Sequence, residues 1–145
     1  MLQRSRMSRW LRTAMLVGAV YLAVGLSFGA LAGAAASPQT QFFWRLSAFI
    51  VSAVVLAAHI AHEQLALRNT ARPTAWHASV AAACGGFGLA LAANIHDLGS
   101  ASGYRPRMLI ALVAWPLLTG VPAFVVALVV ATGVRLFRPR PRPTQ

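Results

Sequence analysis

Residues 108–134 read MLIALVAWPLLTGVPAFVVALVVATGV and contain no charged side chain. In a helix, about 20 apolar residues cross a hydrocarbon core of about 30 Å, so this stretch is long enough to span a membrane. Three more long apolar stretches lie at residues 13–36, 45–63 and 78–95, and the second of them has charged residues only at its two ends, Arg45 and Glu63. Backbone polar groups must be paired inside lipid, so each stretch is expected to be a helix. The alternating ten-residue segments of a membrane β-barrel are missing from the sequence.

The links between these stretches are short and carry Pro, Gly, Ser or Asn, as loops do. Short links make successive helices antiparallel neighbours. We therefore predict one all-α membrane domain over residues 1–145, an up-down-up-down four-helix bundle. Its helices are expected at about 13–36, 42–67, 74–97 and 107–135, between basic cytoplasmic tails at 1–12 and 136–145.

The composition of the 145 residues also indicates a membrane protein. Hydrophobic residues make up 58% and charged residues 10% of the chain, against about 25% charged in a typical soluble domain. A soluble nucleic-acid-binding protein could carry the net charge of +11, but not together with a mean hydropathy of +0.64. We therefore expect no nucleic-acid partner. The single cysteine, Cys84, permits no intrachain disulfide.

The arginines predict the orientation of the bundle. Most of the 13 basic residues precede the first helix, separate the second from the third, or follow the fourth. The positive-inside rule then puts both termini in the cytoplasm. We predict a multi-pass protein of the plasma (cytoplasmic) membrane, the cell inner membrane, whose arginines contact anionic lipid headgroups. The majority are Arg4, Arg6, Arg9, Arg12, Arg68, Arg72, Arg135, Arg138, Arg140 and Arg142; the minority are Arg45, Arg105 and Arg107.

The N-terminus also has features of a secretory signal peptide. Basic residues precede an apolar stretch that ends in Ala34-Ala35-Ala36, an A-x-A cleavage pattern. The apolar region of a signal peptide is about 7 to 15 residues long, and residues 13–36 exceed that length. The sequence therefore favours an uncleaved first helix.

Gly25, Gly29 and Gly33 form two overlapping GxxxG patterns on one face of the first helix. Small residues at this spacing let two helix backbones approach closely in lipid. The pattern predicts that this face packs inside the bundle. A homo-oligomer, or a larger membrane complex formed through the same three glycines, is the open alternative.

Four ionisable side chains form the most informative group in the sequence. His59, His62 and Glu63 lie near the end of the second helix, and His77 lies near the start of the third. Ionisable residues inside a membrane are costly and often functional. Positions i, i+3 and i+4 share a helix face, so the three side chains of the second helix are expected to point the same way. The short hairpin brings His77 to a similar depth.

Two interpretations of this group stay open. In the structural one, which we expect, Glu63 contacts His77 or Arg68, and the other histidines bond to backbone or water. In the alternative, His59, His62, Glu63 and His77 bind a transition metal or a haem, because imidazole and carboxylate suit Zn, Cu and Fe. The HExxH motif of zinc proteases and the four carboxylates of di-iron bundles are absent.

Two further polar patterns concern the second and third helices. Arg45, Ser52 and His59 recur every seven residues and are expected to line one stripe that faces the bundle interior. Asp97 ends the third helix, where an antiparallel neighbour begins. We expect it to pair with Arg45 or with an arginine of the following loop.

No loop is long enough to hold a soluble catalytic domain, and the sequence predicts no catalytic residue and no cofactor. The leading hypothesis is a small polytopic membrane protein without catalytic activity, acting as an accessory or structural subunit. One alternative is the metal- or haem-binding redox protein described above. Another is a small oligomeric transporter, although the chain lacks the mid-membrane carboxylate that small multidrug transporters use.

Overall fold

The structure, a computed structural model, describes residues 2–99 and 108–136, and the side chains of residues 10–99 and 109–136. This part of the chain contains four helices: α1 (Leu2–Gly33), α2 (Pro38–Ala61), α3 (Ala71–Leu98) and α4 (Met108–Leu136). A π-helical turn, His62–Ala66, continues α2. Each helix is long and apolar enough to cross a membrane, over Trp10–Gly33, Pro38–Ala66, Ala71–Leu98 and Leu109–Leu136. The described residues therefore form an all-helical fold that fits a multi-pass membrane bundle.

The helix boundaries differ from the predicted ones at the N-terminal ends of α1 and α2. Helix α1 begins at Leu2, so most of the predicted N-terminal tail is helical. Helix α2 begins at Pro38, where the sequence predicts a loop, because Ser37 caps it: the Ser37 Oγ accepts a hydrogen bond from the Thr40 N–H at 3.2 Å. Proline suits the first helical position, where an N–H would be unpaired. Residues 137–145 of the predicted C-terminal tail lie outside the described residues.

Helix α3 packs between α1 and α4, and glycines let the backbones come close. A Cβ atom added at Gly85 would lie 2.6 Å from the Cβ of Tyr21, and one added at Gly18 would lie 3.0 Å from the Cβ of Cys84. On the other side of α3, a Cβ added at Gly120 would lie 3.1 Å from an α3 side chain. Such close approach is the usual way in which helices associate in lipid.

The α1 glycines that pack most closely are not all those that the GxxxG pattern predicts. A Cβ added at Gly29 or Gly33 would meet nothing within 4 Å, whereas one at Gly25 would lie 2.6 Å from a Leu89 side-chain carbon of α3. The prediction that this face packs inside the bundle is therefore wrong for Gly29 and Gly33. The physical reason is that the close contact between α1 and α3 runs from Gly18 to Gly25 and ends before Gly29. Association of that face with a second copy stays a prediction.

Pro116 and Pro122 lie inside α4, where each removes a backbone hydrogen bond. Near these prolines, the hydroxyl groups of Thr119 and Ser79 contact backbone carbonyls of the neighbouring helix. The Thr119 Oγ1 lies 3.1 Å from the Ala82 carbonyl oxygen of α3 and 2.9 Å from the Trp115 carbonyl oxygen of its own helix, and its one proton is shared between them. The Ser79 Oγ of α3 donates to the Gly120 carbonyl of α4 at 2.9 Å. These bonds tie α3 to α4 across the part of α4 that proline weakens.

Helix α2 packs on α1 but contacts α3 and α4 little. Its only buried residues are His59 and Ile60, at its C-terminal end. There Ile60 joins a small apolar core with alanines of α3 and α4. Near the other end of α2, the Trp44 ring lies 6.0 Å from the Phe28 ring of α1. Between these two points α2 stands away from α4 and leaves an open groove.

Candidate functional site

Buried polar side chains gather where α2 ends and α3 begins. We call this group the polar cluster: Glu63, Gln64, Asn69, Thr74 and His77. Gln64, Glu63 and Thr74 are the largest fully buried side chains in the described part of the chain, each no more than 1% exposed. Because buried polar groups are costly unless they are hydrogen-bonded, the partners of these side chains decide what the cluster can do.

The π-helical turn places two consecutive polar residues inside the protein. The Leu67 N–H bonds to the His62 carbonyl at 3.2 Å, which widens the helix by one residue per turn. Both Glu63 and Gln64 are buried there. The chain then reverses at Arg68, whose φ of 52° is left-handed and ends the helix. The spacing of polar residues in the sequence does not predict the π-helical turn.

Glu63 holds two neighbouring elements through one carboxylate oxygen. The Glu63 Oε2 lies 3.1 Å from the His77 Nδ1, and it also accepts a hydrogen bond from the Asn69 side-chain amide. The His77 ring stacks on Trp10 of α1, with ring centres 4.7 Å apart and planes 8° from parallel. The carboxylate therefore joins the end of α2, the loop and the start of α3, and the stacked rings add α1.

Gln64 and Arg135 extend the polar cluster to the remaining helix. The Gln64 Nε2 donates to the Thr74 Oγ1 at 2.7 Å and to the Asn69 carbonyl at 3.1 Å. The same Asn69 carbonyl accepts a hydrogen bond from the Arg135 guanidinium of α4 at 3.3 Å. All four helices thus meet at the polar cluster, and its main geometric effect is to fasten them together.

The structure brings together only some of the predicted site residues. It contains the Glu63–His77 contact that the structural interpretation predicts. His62 is exposed, so the prediction that it shares a face with His59 and Glu63 is wrong, because the helix changes from α to π at His62. His59 is 5% exposed, and its Nε2 has no hydrogen-bond partner among the described residues.

His59, His62, Glu63 and His77 do not form a ligand set: across residues 2–99 and 108–136, no group of three or more His, Cys, Asp or Glu side chains is arranged to hold a metal ion.

The sequence analysis also missed several members of the polar cluster. Gln64 follows Glu63 directly and Asn69 lies in a very short loop, and a polar residue at either place is a signal for a helix-end contact. Nothing in the sequence points to Thr74 or Arg135 as partners, because their contacts depend on how α3 and α4 pack.

No salt bridge joins Asp97 to Arg45 among the described residues, so that predicted pair is not observed there. Arg105 and Arg107, the other partners considered for Asp97, lie outside those residues.

A groove of about 1060 Å³ lies beside α2 and is lined by residues of all four helices. It extends from Gln41 and Arg45 near the start of α2 to Gln64 near its end. Most of its lining is apolar. Ala48, Ala53, Ala57, Leu118, Pro122, Val126 and Val130 are among the residues that form its α2 and α4 walls.

Few polar groups face this groove. Two of them have no hydrogen-bond or ion-pair partner among the described residues. The Tyr21 hydroxyl is buried and makes no hydrogen bond to any described residue. Arg45 is exposed and forms no ion pair within the described part of the chain. Ser52 also lines the groove, so the predicted stripe is present for Arg45 and Ser52, whereas His59 is not part of this lining.

No protein-family model, curated protein or solved structure gives a significant match to this chain. The function of this chain is therefore inferred from the geometry of the polar cluster and the groove.

Proposed function

We propose that this protein is a non-catalytic accessory protein of the cytoplasmic membrane, and that its groove binds a hydrocarbon chain of a membrane lipid. The observation that carries the proposal is the groove: about 1060 Å³ of mostly apolar space that all four helices line. Binding sites of this size, with apolar walls and a few polar groups, are common between the helices of bundles.

The length and the lining of the groove suit an extended hydrocarbon chain. From Gln41 to Gln64 the groove follows α2 for about 35 Å, at about 1.5 Å per residue. Its walls are mostly apolar, so an acyl chain of a surrounding lipid can lie along α2 against them.

The polar cluster supports a role without catalysis. Its carboxylate, Glu63, is fully buried and engaged by His77 and Asn69. Its amide donor, Gln64, is bonded to Thr74. These groups hold the helices together through hydrogen bonds, a structural role that is consistent with an accessory or structural subunit.

The proposal includes both termini in the cytoplasm and an up-down-up-down order of helices. The stack of Trp10 on His77 and the bond from Arg135 to Asn69 support it, because they bring the start of α1, the α2–α3 loop and the end of α4 together. The excess of arginines at that end supports the cytoplasmic assignment. Reporter fusions at Met1 and Gln145 test it, and a periplasmic signal from either would contradict it.

Two neighbouring alanines offer a matched test of the groove. Ala57 lines the groove and Ala58 does not, and both are exposed on α2. We expect native mass spectrometry of the purified protein to show one retained lipid, which Ala57→Trp removes and Ala58→Trp leaves in place. Equal lipid retention in both variants would contradict the proposal, as would a wild-type protein that retains none.

The same preparation tests the competing redox hypothesis. An absorption spectrum with a haem band, or a stoichiometric metal by elemental analysis, would favour a cofactor site that uses His59, His62, Glu63 and His77. In that case His62→Ala should remove the cofactor together with the variants of the buried residues, because a ligand set fails when any member is lost.

A further inference from the structure

Arg45 lines the groove about one-third of the way along α2. It lies seven residues after Pro38, which is about 10 Å along the helix axis. A charged side chain inside a membrane span is costly, so it normally pairs with an opposite charge or reaches the headgroup layer. Arg45 is therefore expected to have an anionic partner or to reach the headgroup layer.

No salt bridge joins Arg45 to an acidic side chain of the described residues. The carboxylate of Glu63 belongs to the polar cluster, where it contacts His77. Neither Glu63 nor Asp97 lines the groove, and Arg45 is the one charged residue that does, among the described residues. The groove therefore combines apolar walls with a single exposed positive charge.

We propose that the occupant of the groove is an anionic phospholipid whose phosphate pairs with Arg45 and whose acyl chain runs along α2. This inference rests on the proposed function and adds the charge and the position of the headgroup. It places the lipid in the leaflet where α2 begins, at the opposite end of the bundle from the polar cluster. Guanidinium groups bind phosphate through charge-assisted, often paired, hydrogen bonds.

The distances along α2 agree with one leaflet's acyl chain. Half of a hydrocarbon core is about 15 Å thick, and eleven residues from Arg45 to Leu56 rise about 16 Å. Both residues line the groove, as do Phe49 and Ser52 between them. A chain that starts at the Arg45 guanidinium therefore ends near Leu56, with apolar walls over most of its length.

The test uses the full-length protein in nanodiscs that contain equal amounts of phosphatidylglycerol and phosphatidylcholine with identical acyl chains. Native mass spectrometry counts each lipid that the protein retains after release. We expect the wild type to retain one lipid and to prefer phosphatidylglycerol roughly fivefold, the factor expected for one arginine near anionic lipid.

The Arg45→Gln variant should still retain one lipid but lose this preference, whereas Arg45→Lys should keep most of it. Arg72→Gln is the matched control, because Arg72 is also exposed and does not line the groove. It should behave as the wild type. Thermal unfolding of every variant in the same nanodiscs checks that the fold is kept.

The outcomes separate the two proposals. A wild type that retains no lipid would refute the proposed function. A retained lipid without charge preference, or a preference that survives Arg45→Gln, would overturn the inference and leave the groove as a chain-binding site. A lipid-free dimer in the mass spectrum would overturn both and make a second copy of the chain the occupant.

Discussion

Removing the Glu63 carboxylate is the strongest test of the polar cluster as a fastener. The Glu63→Ala variant takes the acceptor away from both the His77 Nδ1 and the Asn69 side-chain amide. A side-chain hydrogen bond between membrane helices contributes about 0.6 kcal/mol on average and about 1.7 kcal/mol at most. Two such bonds in a site that is 1% exposed lie toward the upper limit. We expect the free energy of unfolding to fall by about 2 to 3 kcal/mol.

Two further variants calibrate this value. His77→Phe keeps an aromatic ring against Trp10 but leaves the buried Glu63 carboxylate with Asn69 as its remaining partner, so its loss should also be about 2 to 3 kcal/mol. His62→Ala changes an exposed neighbour outside the polar cluster, and its effect should stay within about 0.5 kcal/mol. Reversible unfolding by SDS in mixed detergent micelles measures all three.

The pattern of the three losses discriminates between a structural contact and a ligand set. A structural contact requires a clear loss for both Glu63→Ala and His77→Phe and almost none for His62→Ala. If His62→Ala costs as much as Glu63→Ala, or if all three lose the same bound metal, the assignment of Glu63 and His77 as structural partners is refuted.

The remaining predictions concern packing and helix ends, all measured by the same unfolding assay. Gly85→Ala should destabilise by about 1 to 3 kcal/mol, because its added Cβ would lie 2.6 Å from the Tyr21 Cβ. The added Cβ of Gly29→Ala meets nothing within 4 Å, so this variant should be neutral or stabilising by up to about 1 kcal/mol, because alanine is the better helix former. Equal effects of the two variants would contradict the observed α1–α3 contact. Ser37→Ala should cost about 1 kcal/mol because it removes the cap of α2, and a neutral result would show that the cap is not formed. Arg68→Gly should be neutral or stabilising by up to about 1 kcal/mol, since φ is 52° there; a clear loss would show that the Arg68 side chain has a role.

The number of membrane helices could be predicted because it depends on length and charge alone. Four stretches long enough to cross the hydrocarbon core, separated by arginines and loop residues, leave few other folds. The Glu63–His77 contact was also accessible, because a short hairpin fixes which residues of its two helices lie at the same depth. Local rules sufficed for both.

The closest helix contacts and the groove were beyond such rules. A GxxxG pattern indicates that a face permits close approach. Gly18, outside the pattern, and Gly25, inside it, pack against α3, but Gly29 and Gly33 do not. Likewise, the π-helical turn at His62–Ala66 contains Glu63 and Gln64, which form hydrogen bonds with the loop and with α3. Both features depend on how whole helices pack, which periodicity within one helix does not specify.

The groove and the polar cluster follow from the same arrangement of α3. Helix α3 uses Gly85 against α1 and other small residues against Gly120 of α4, so both of its closely packing sides are occupied. Helix α2 then lies on α1 and reaches the rest of the bundle chiefly at its C-terminal end, through Ile60 and the polar cluster. Away from that end α2 makes few contacts with α4. The groove, which Arg45 lines, is the space between the two helices. Apolar walls that are not packed against protein must be covered by lipid or by another apolar partner, so the groove that we propose as a chain-binding site follows from how tightly α3 is packed.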